Sequence, residues 1–228
     1  QQQVNNYIAN AIGKQYDTTI MSQYLDKYQE WIRSSTLNNL QGLDAFQVAA
    51  QSTGTTEGFD KFYLRNRSRR MRCFKGEYMY HAATWKNGFE DWAFIEDEPL
   101  DSNDAVVMSM PFSDSGEVHP DADRIIDECG KLGIPVLVDS AFWGLSSGID
   151  FNYDRPAITD ITFSLSKSMP VAHLRIGMRL TREDMDDALL VYRSTSYTNR
   201  IGAAVGLEVM NNMTPDWNYE TYAETQHK

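Results

Sequence analysis

Apolar positions recur along this chain with two different periods. In residues 18–33, TTIMSQYLDKYQEWIR, Ile20, Tyr24, Tyr28 and Ile32 fall at helical spacing and predict an amphipathic helix. Residues 44–66 read as an apolar run, a Ser/Thr/Gly turn and a helix opening near Thr56. Short runs rich in Val, Ile and Met follow at 105–110 (AVVMSM), 134–140 (IPVLVDS), 158–164 (ITDITFS) and 175–181 (RIGMRLT), and each predicts a strand. Between the first two lies HPDADRIIDECGKLG, 119–133. Its Pro120 suits a first helical turn, and Ile125, Ile126, Cys129 and Leu132 form an apolar stripe that ends at Gly133. TREDMDDALLVYR, 181–193, predicts a capped helix with Thr181 and Asp184 as a capping box and Met185, Ala188, Leu189 and Tyr192 on one face. Strand, helix, strand with apolar strands is the pattern of a parallel sheet covered on both faces. The fold class is α/β, a mostly parallel sheet flanked by helices, entered through a helical N-terminal arm.

Composition narrows the functional classes. With 228 residues, 42% hydrophobic and 12% aromatic, the chain can bury a sizeable core. A net charge of -11 argues against nucleic acid or an anionic membrane as the main partner. Residues 1–50 show no basic winged-helix segment. The two cysteines, Cys73 and Cys129, form neither a disulfide framework nor a metal-ligand spacing, which makes a reducing, cytoplasmic location the expectation. His81, His119, His173 and His227 are scattered, and no metal site is expected. The acids of 183–187 read as a solvated helix face. There is no GxGxxG and no GxxxxGK[ST]. The opening QQQ without an initiator methionine and the polar end NYETYAETQHK point to a fragment.

Four segments fall at strand ends or the turns beside them, where open α/β sheets collect ligands. STGTTEG, 52–58, leads small residues straight into a helix, as an ordinary N-cap or as a phosphate cradle of free N–H groups and hydroxyls. Asp139 ends an apolar strand, as a helix cap or a functional acid. PFSDSGEV, 111–118, is a turn after a strand. SLSKSMPVAHLRIG, 164–177, places Lys167 and Arg175 eight residues apart, and two such cations repel unless an anion lies between them.

In order and spacing these segments resemble the fold type I pyridoxal-phosphate enzymes, the aspartate aminotransferase superfamily, over about residues 50–180 and more loosely to about 212. The S-x-S-K…R-x-G element matches Ser164, Ser166, Lys167, Arg175 and Gly177. The phosphate turn matches Gly54, Thr55, Thr56 and Glu57, the D-x-A-[YF] element matches Asp139, Ser140, Ala141 and Phe142, and GEYMYH offers Tyr78, with Tyr80 as its competitor, for ring stacking. The resemblance implies pyridoxal 5'-phosphate as cofactor and amino-group transfer between an amino acid and a 2-oxo acid. Lys167 would form the Schiff base and move protons, and Asp139 would face the pyridine nitrogen. Gly54, Thr55, Thr56, Ser164 and Arg175 would hold the phosphate. A carboxylate about 3 Å from a protonated ring nitrogen gains roughly 5 kcal/mol at an effective dielectric near 20, before desolvation.

The resemblance also implies residues 1–43 as arm, 44–182 as cofactor-binding large domain and 183–228 as a helical segment leading toward a truncated C-terminal domain. A homodimer is implied as well. Two positions depart from the family pattern: Ser113 stands where an Asn, and Phe142 where a Tyr, usually bonds the cofactor's phenolic oxygen. Ser113 is expected to keep one such bond. Arg193, Asn199 and Arg200 read either as a segment reaching a neighbouring subunit's site or as surface groups around a helix start. A decarboxylase or lyase on the same site, or a truncated member that binds without turnover, remain as alternatives.

Overall fold

The structure, a computed structural model, describes residues 2–89, 91–195 and 197–226. Helices α1 (Gln2–Ala11) and α2 (Ile20–Arg33) come first, then strands β1 (Asn39–Gln41) and β2 (Val48–Thr53) and helix α3 (Thr56–Arg65). Next are β3 (Arg70–Cys73), α4 (Tyr80–Gly88), β4 (Trp92–Phe94), β5 (Asp104–Ser109), α5 (Ala122–Leu132), β6 (Val136–Asp139) and β7 (Asp150–Asn152). The chain continues with β8 (Ile158–Ser164), α6 (Leu165–Ser168), β9 (Ile176–Thr181), α7 (Ala188–Thr195), α8 (Arg200–Asn212) and α9 (Trp217–Gln226).

The main sheet has seven strands in the order β2-β9-β8-β6-β5-β3-β4. Strand β9 runs antiparallel to both its neighbours, and the remaining pairs are parallel. The carboxyl ends of β2, β8, β6, β5 and β3 therefore share one edge with the start of β9. This is the α/β, mostly parallel architecture that the apolar runs imply.

Strands β5 and β6 are buried at every residue, as strands covered on both faces must be. One face carries a cluster of Phe59, Phe62, Tyr63, Trp85, Val107 and Leu137. The other carries the larger core, including α5 through Ile125, Ile126 and Cys129 and α2 through Ile20, Tyr24, Tyr28 and Ile32. Helix α2 packs on α8. A Cβ at Gly206 would lie 2.8 Å from the Tyr24 ring, so a glycine there permits the close approach. Tyr24 then donates from its hydroxyl to the Gly177 carbonyl at 2.9 Å, and Trp31 Nε1 donates to the Met213 carbonyl at 2.7 Å. These bonds fasten the N-terminal arm to the strand that carries part of the site. β1 pairs in parallel with β7, tying the end of the arm to residues 150–152.

Three local expectations are corrected. Pro120 lies in the turn before α5, which begins at Ala122 after Asp121. Leu132 stands off the buried stripe at 38% exposure. The capping box at 181–184 does not form: Thr181 closes β9 and its hydroxyl donates to the Glu183 carbonyl. Asp187 pairs with the buried Arg179 and accepts the Leu189 N–H, so the helix starts only after it. The acids of 183–187 thus precede a helix instead of lining one, and Asp187 is drawn inward by a buried guanidinium.

Candidate active site

A cleft of about 430 Å3 opens at the carboxyl edge of the sheet, lined by Thr55, Thr56, Tyr78, Asp139, Ala141, Phe142, Ser164, Ser166, Lys167 and Arg175. Five separate stretches of sequence meet there, and the sheet explains why. β2 delivers Thr55 and Thr56, β3 leads to Tyr78, β6 ends on Asp139, β8 on Ser164, and β9 begins after Arg175.

The cradle is built by close backbone approach. Gly54 has φ +68, and a Cβ on it would meet Arg175 Nη2 at 2.4 Å. Its N–H donates to the Arg175 carbonyl at 3.1 Å. A Cβ on Gly177 would lie 2.7 Å from the Gly54 carbonyl oxygen. Arg175 itself is left-handed at φ 52, which turns its side chain back across the turn, where Nη2 lies 3.4 Å from Thr56 Oγ1. The first N–H groups of α3 open on the same side, adding the partial positive charge of a helix start. Substituting Gly54→Ala should weaken cofactor binding at least tenfold and destabilise the fold by about 1–2 kcal/mol, from left-handed strain and displacement of the guanidinium. Cofactor titration and denaturant melts check this, and unchanged affinity would remove Arg175 from the cradle.

Lys167 sits on the short helix α6, exposed to the cleft, with Nζ 5.4 Å from the centre of the Phe142 ring. Among the described residues neither Lys167 nor Arg175 makes an ion pair. Ser164 caps α6 by accepting the Ser166 N–H at 3.1 Å and donates its own proton to the Ile176 carbonyl at 3.2 Å. Ser166, which motif matching noted without assigning a role, has a buried hydroxyl with no partner and lines the cleft. Two unpaired cations, an orphaned hydroxyl and a glycine cradle together fit a small group carrying a phosphate dianion.

Asp139 is buried, and its Oδ1 accepts the Ala141 N–H at 3.1 Å and the Thr162 hydroxyl at 3.2 Å. Burial, with the nearby charge of Glu77, pushes its carboxyl up from 3.8 to about 7. A raised acid favours the folded state while protonated, so its contribution is full below about pH 4 and lost as pH rises through about 7. The cofactor-free chain should therefore lose stability across that interval relative to Asp139→Asn, and thermal melts of the pair at several pH values give the slope. A difference that stays flat would contradict the burial account. A protonated ring nitrogen against this carboxylate fits the site, because it supplies the cation that a buried acid lacks.

Tyr78 lies at the cleft, 42% exposed, and Tyr80 stacks on it at 6.0 Å while donating to Asp60 at 2.9 Å. Of the two, Tyr78 is the one placed for a ring. Ser113 is not among the lining residues, and its hydroxyl is directed to Glu77 and Ser109. The expected Ser113 bond to the cofactor's phenolic oxygen is thus not prepared, because a carboxylate outcompetes it for that proton. Phe142 lines the cleft without a hydroxyl.

His81 is fully buried against the Tyr63 hydroxyl, and burial lowers its imidazole to about 3. His119 stacks on Phe74 at 3.7 Å, His173 is exposed, and His227 lies outside the described residues. Among the described residues no group of three His, Cys, Asp or Glu side chains could hold a metal ion. Asn199 caps α8 by accepting the Gly202 N–H at 2.8 Å, Arg200 donates to the Asp17 carbonyl, and Arg193 is exposed. No described helix is long and apolar enough to cross a membrane.

Solved structures share this fold at low identity. A C-S lyase from Staphylococcus hominis, in pyridoxal-phosphate-bound form, aligns with 97% of this chain and 63% of its own at TM-score 0.69 and 12% identity. The aromatic aminotransferase of Pyrococcus horikoshii aligns at TM-score 0.70 and 12% identity, covering 100% of this chain and 67% of that one. The histidinol-phosphate aminotransferase of Clostridium acetobutylicum aligns at TM-score 0.67 and 10% identity, covering 99% and 71%. The chain thus spans a little under two thirds of the lyase's length. No curated protein matches it. The family model for aminotransferase class I and II matches residues 64–225, most of the chain including Asp139, Lys167 and Arg175, and the protein belongs to that pyridoxal-phosphate-dependent family.

Proposed function

We propose that this chain carries the cofactor-binding half of an aminotransferase that moves an amino group from an amino acid to a 2-oxo acid. The observation that supports it most is the pair of unpaired cations, Lys167 and Arg175, facing one cleft whose floor is the buried Asp139. Arg175, with Thr55, Thr56, Ser166 and the start of α3, would hold the phosphate, since a guanidinium fork and free N–H groups match its oxygens. Bound there, pyridoxal phosphate supplies an electron sink for the carbanionic charge left when a bond to the substrate's α-carbon breaks. Asp139, itself buried, would hold a proton at the ring nitrogen by placing a carboxylate against it. Tyr78 would cover one ring face. Lys167 Nζ would take up and deliver the proton at the substrate's α-carbon. A homodimer goes with this reading.

The test is to load the protein with pyridoxal phosphate, reduce with borohydride and map the modified residue, then assay a panel of amino acids with and without 2-oxo acids. A label on Lys167 and amino transfer that requires the acceptor are expected. Label elsewhere would end the reading. Ammonia released without an acceptor would assign a lyase, and carbon dioxide a decarboxylase.

A further inference from the structure

Directly before Tyr78 stands Glu77, in the loop between β3 and α4, a residue that no motif singled out. The side chain is half-buried, with its carboxylate turned inward onto the end of β5. Oε1 accepts the Ser109 N–H at 2.7 Å, and Oε2 accepts the Ser109 hydroxyl and, at 3.3 Å, the Ser113 hydroxyl. The Ser113 hydroxyl also lies 3.0 Å from Ser109 Oγ. Ser109 is the register partner of Asp139 across β5 and β6, so Glu77 sits one strand away from the floor of the cleft. Among the described residues it has no cationic partner.

We propose that Glu77 is a positioning residue whose negative charge, with its hold on Ser109 and Ser113, sets how firmly Lys167 Nζ keeps a proton once the cofactor is bound. This rests on the function proposed above. The titratable groups around Glu77 are Asp139 from β6 and Cys73 from β3, with Glu96 beside Cys73 and Lys167 facing Asp139 across the cleft. Burial pushes the Glu77 carboxyl up to about 6, opposed by the Ser109 and Ser113 bonds, so it is anionic at neutral pH and above. An inward-turned carboxylate without a cationic partner favours the protonated form of a basic group near it. Its second effect has the same sign. By taking the Ser113 proton it denies the cleft a hydrogen-bond donor that would stabilise negative charge on the bound ring, and a less stabilised anion binds the neighbouring proton more tightly.

The experiment is a pH titration of the visible absorption of bound pyridoxal phosphate in the wild type, Glu77→Gln and Ser113→Ala. Glu77→Gln should lower the midpoint by about one pH unit, because a neutral amide exerts no attraction on the proton held at Lys167. Ser113→Ala should leave it within about 0.2 unit, since that hydroxyl is already directed away. An unshifted midpoint in Glu77→Gln overturns the proposal, as does a midpoint raised by Ser113→Ala, which would mean that Ser113 bonds the cofactor after all. Should Glu77→Gln not fold, Glu77→Ala takes its place, with the same fall expected and an unshifted midpoint again overturning the proposal. No visible band in the wild type would remove both this inference and the function it rests on, whereas a normal Lys167-linked band whose midpoint does not move in Glu77→Gln removes this inference alone.

Discussion

Lys167→Ala should lose turnover by about 10^4-fold or more and take no borohydride label, because the amine that lines the cleft among the described residues is gone. Lys167→Arg sharpens the result. It keeps the positive charge and the contact with the Phe142 ring, 5.4 Å from Nζ in the native site, yet a guanidinium does not give up its proton at neutral pH. Equal inactivity of the two variants assigns the loss to proton transfer, not to charge. Single-turnover kinetics with a deuterated α-carbon measure it, and substantial turnover by Lys167→Arg would remove Lys167 from the chemistry.

Asp139→Asn is expected to cost about 10^2-fold or more in turnover, with cofactor binding reduced far less. The amide can still accept the Ala141 N–H and the Thr162 hydroxyl through its oxygen, so the floor of the cleft keeps its shape. What vanishes is the charge. The attraction of roughly 5 kcal/mol across about 3 Å falls to about half after desolvation, and each 1.36 kcal/mol is tenfold in rate. Steady-state rates and cofactor affinity measured on the same preparation separate the two effects. Equal losses in both would mean that Asp139 acts as scaffold.

The strands at 158–164 and 176–181 were legible because burial on both faces leaves an apolar run with few alternatives, and ITDITFS matches β8 residue for residue. The helix at 188–195 was misplaced because its start is decided by Arg179, a residue of the neighbouring strand that claims Asp187. No local periodicity carries that information. In the site, Thr55, Thr56, Tyr78, Asp139, Lys167 and Arg175, which the sequence singles out through its resemblance to a family pattern, line one cleft. Ser113 reads as a ligand only through the family resemblance, and its hydroxyl is directed to a carboxylate 36 positions earlier and to Ser109. Glu77 itself left no mark, as one acid between a glycine and a tyrosine resembles any surface turn. Ser166 was visible in the motif, and only its lack of a partner gives it a role.

Strand β9 is the last strand of the sheet in the sequence, yet it lies between β2 and β8. Until the ribosome has released residues 176–181, β2 has no place to dock and the Gly54 turn has no Arg175 carbonyl to bond. A nascent chain stalled earlier presents two bare strand edges, the feature that invites intermolecular pairing. Synthesis of this sheet thus has a vulnerable interval that closes when β9 is threaded home, and chaperone demand should be greatest there.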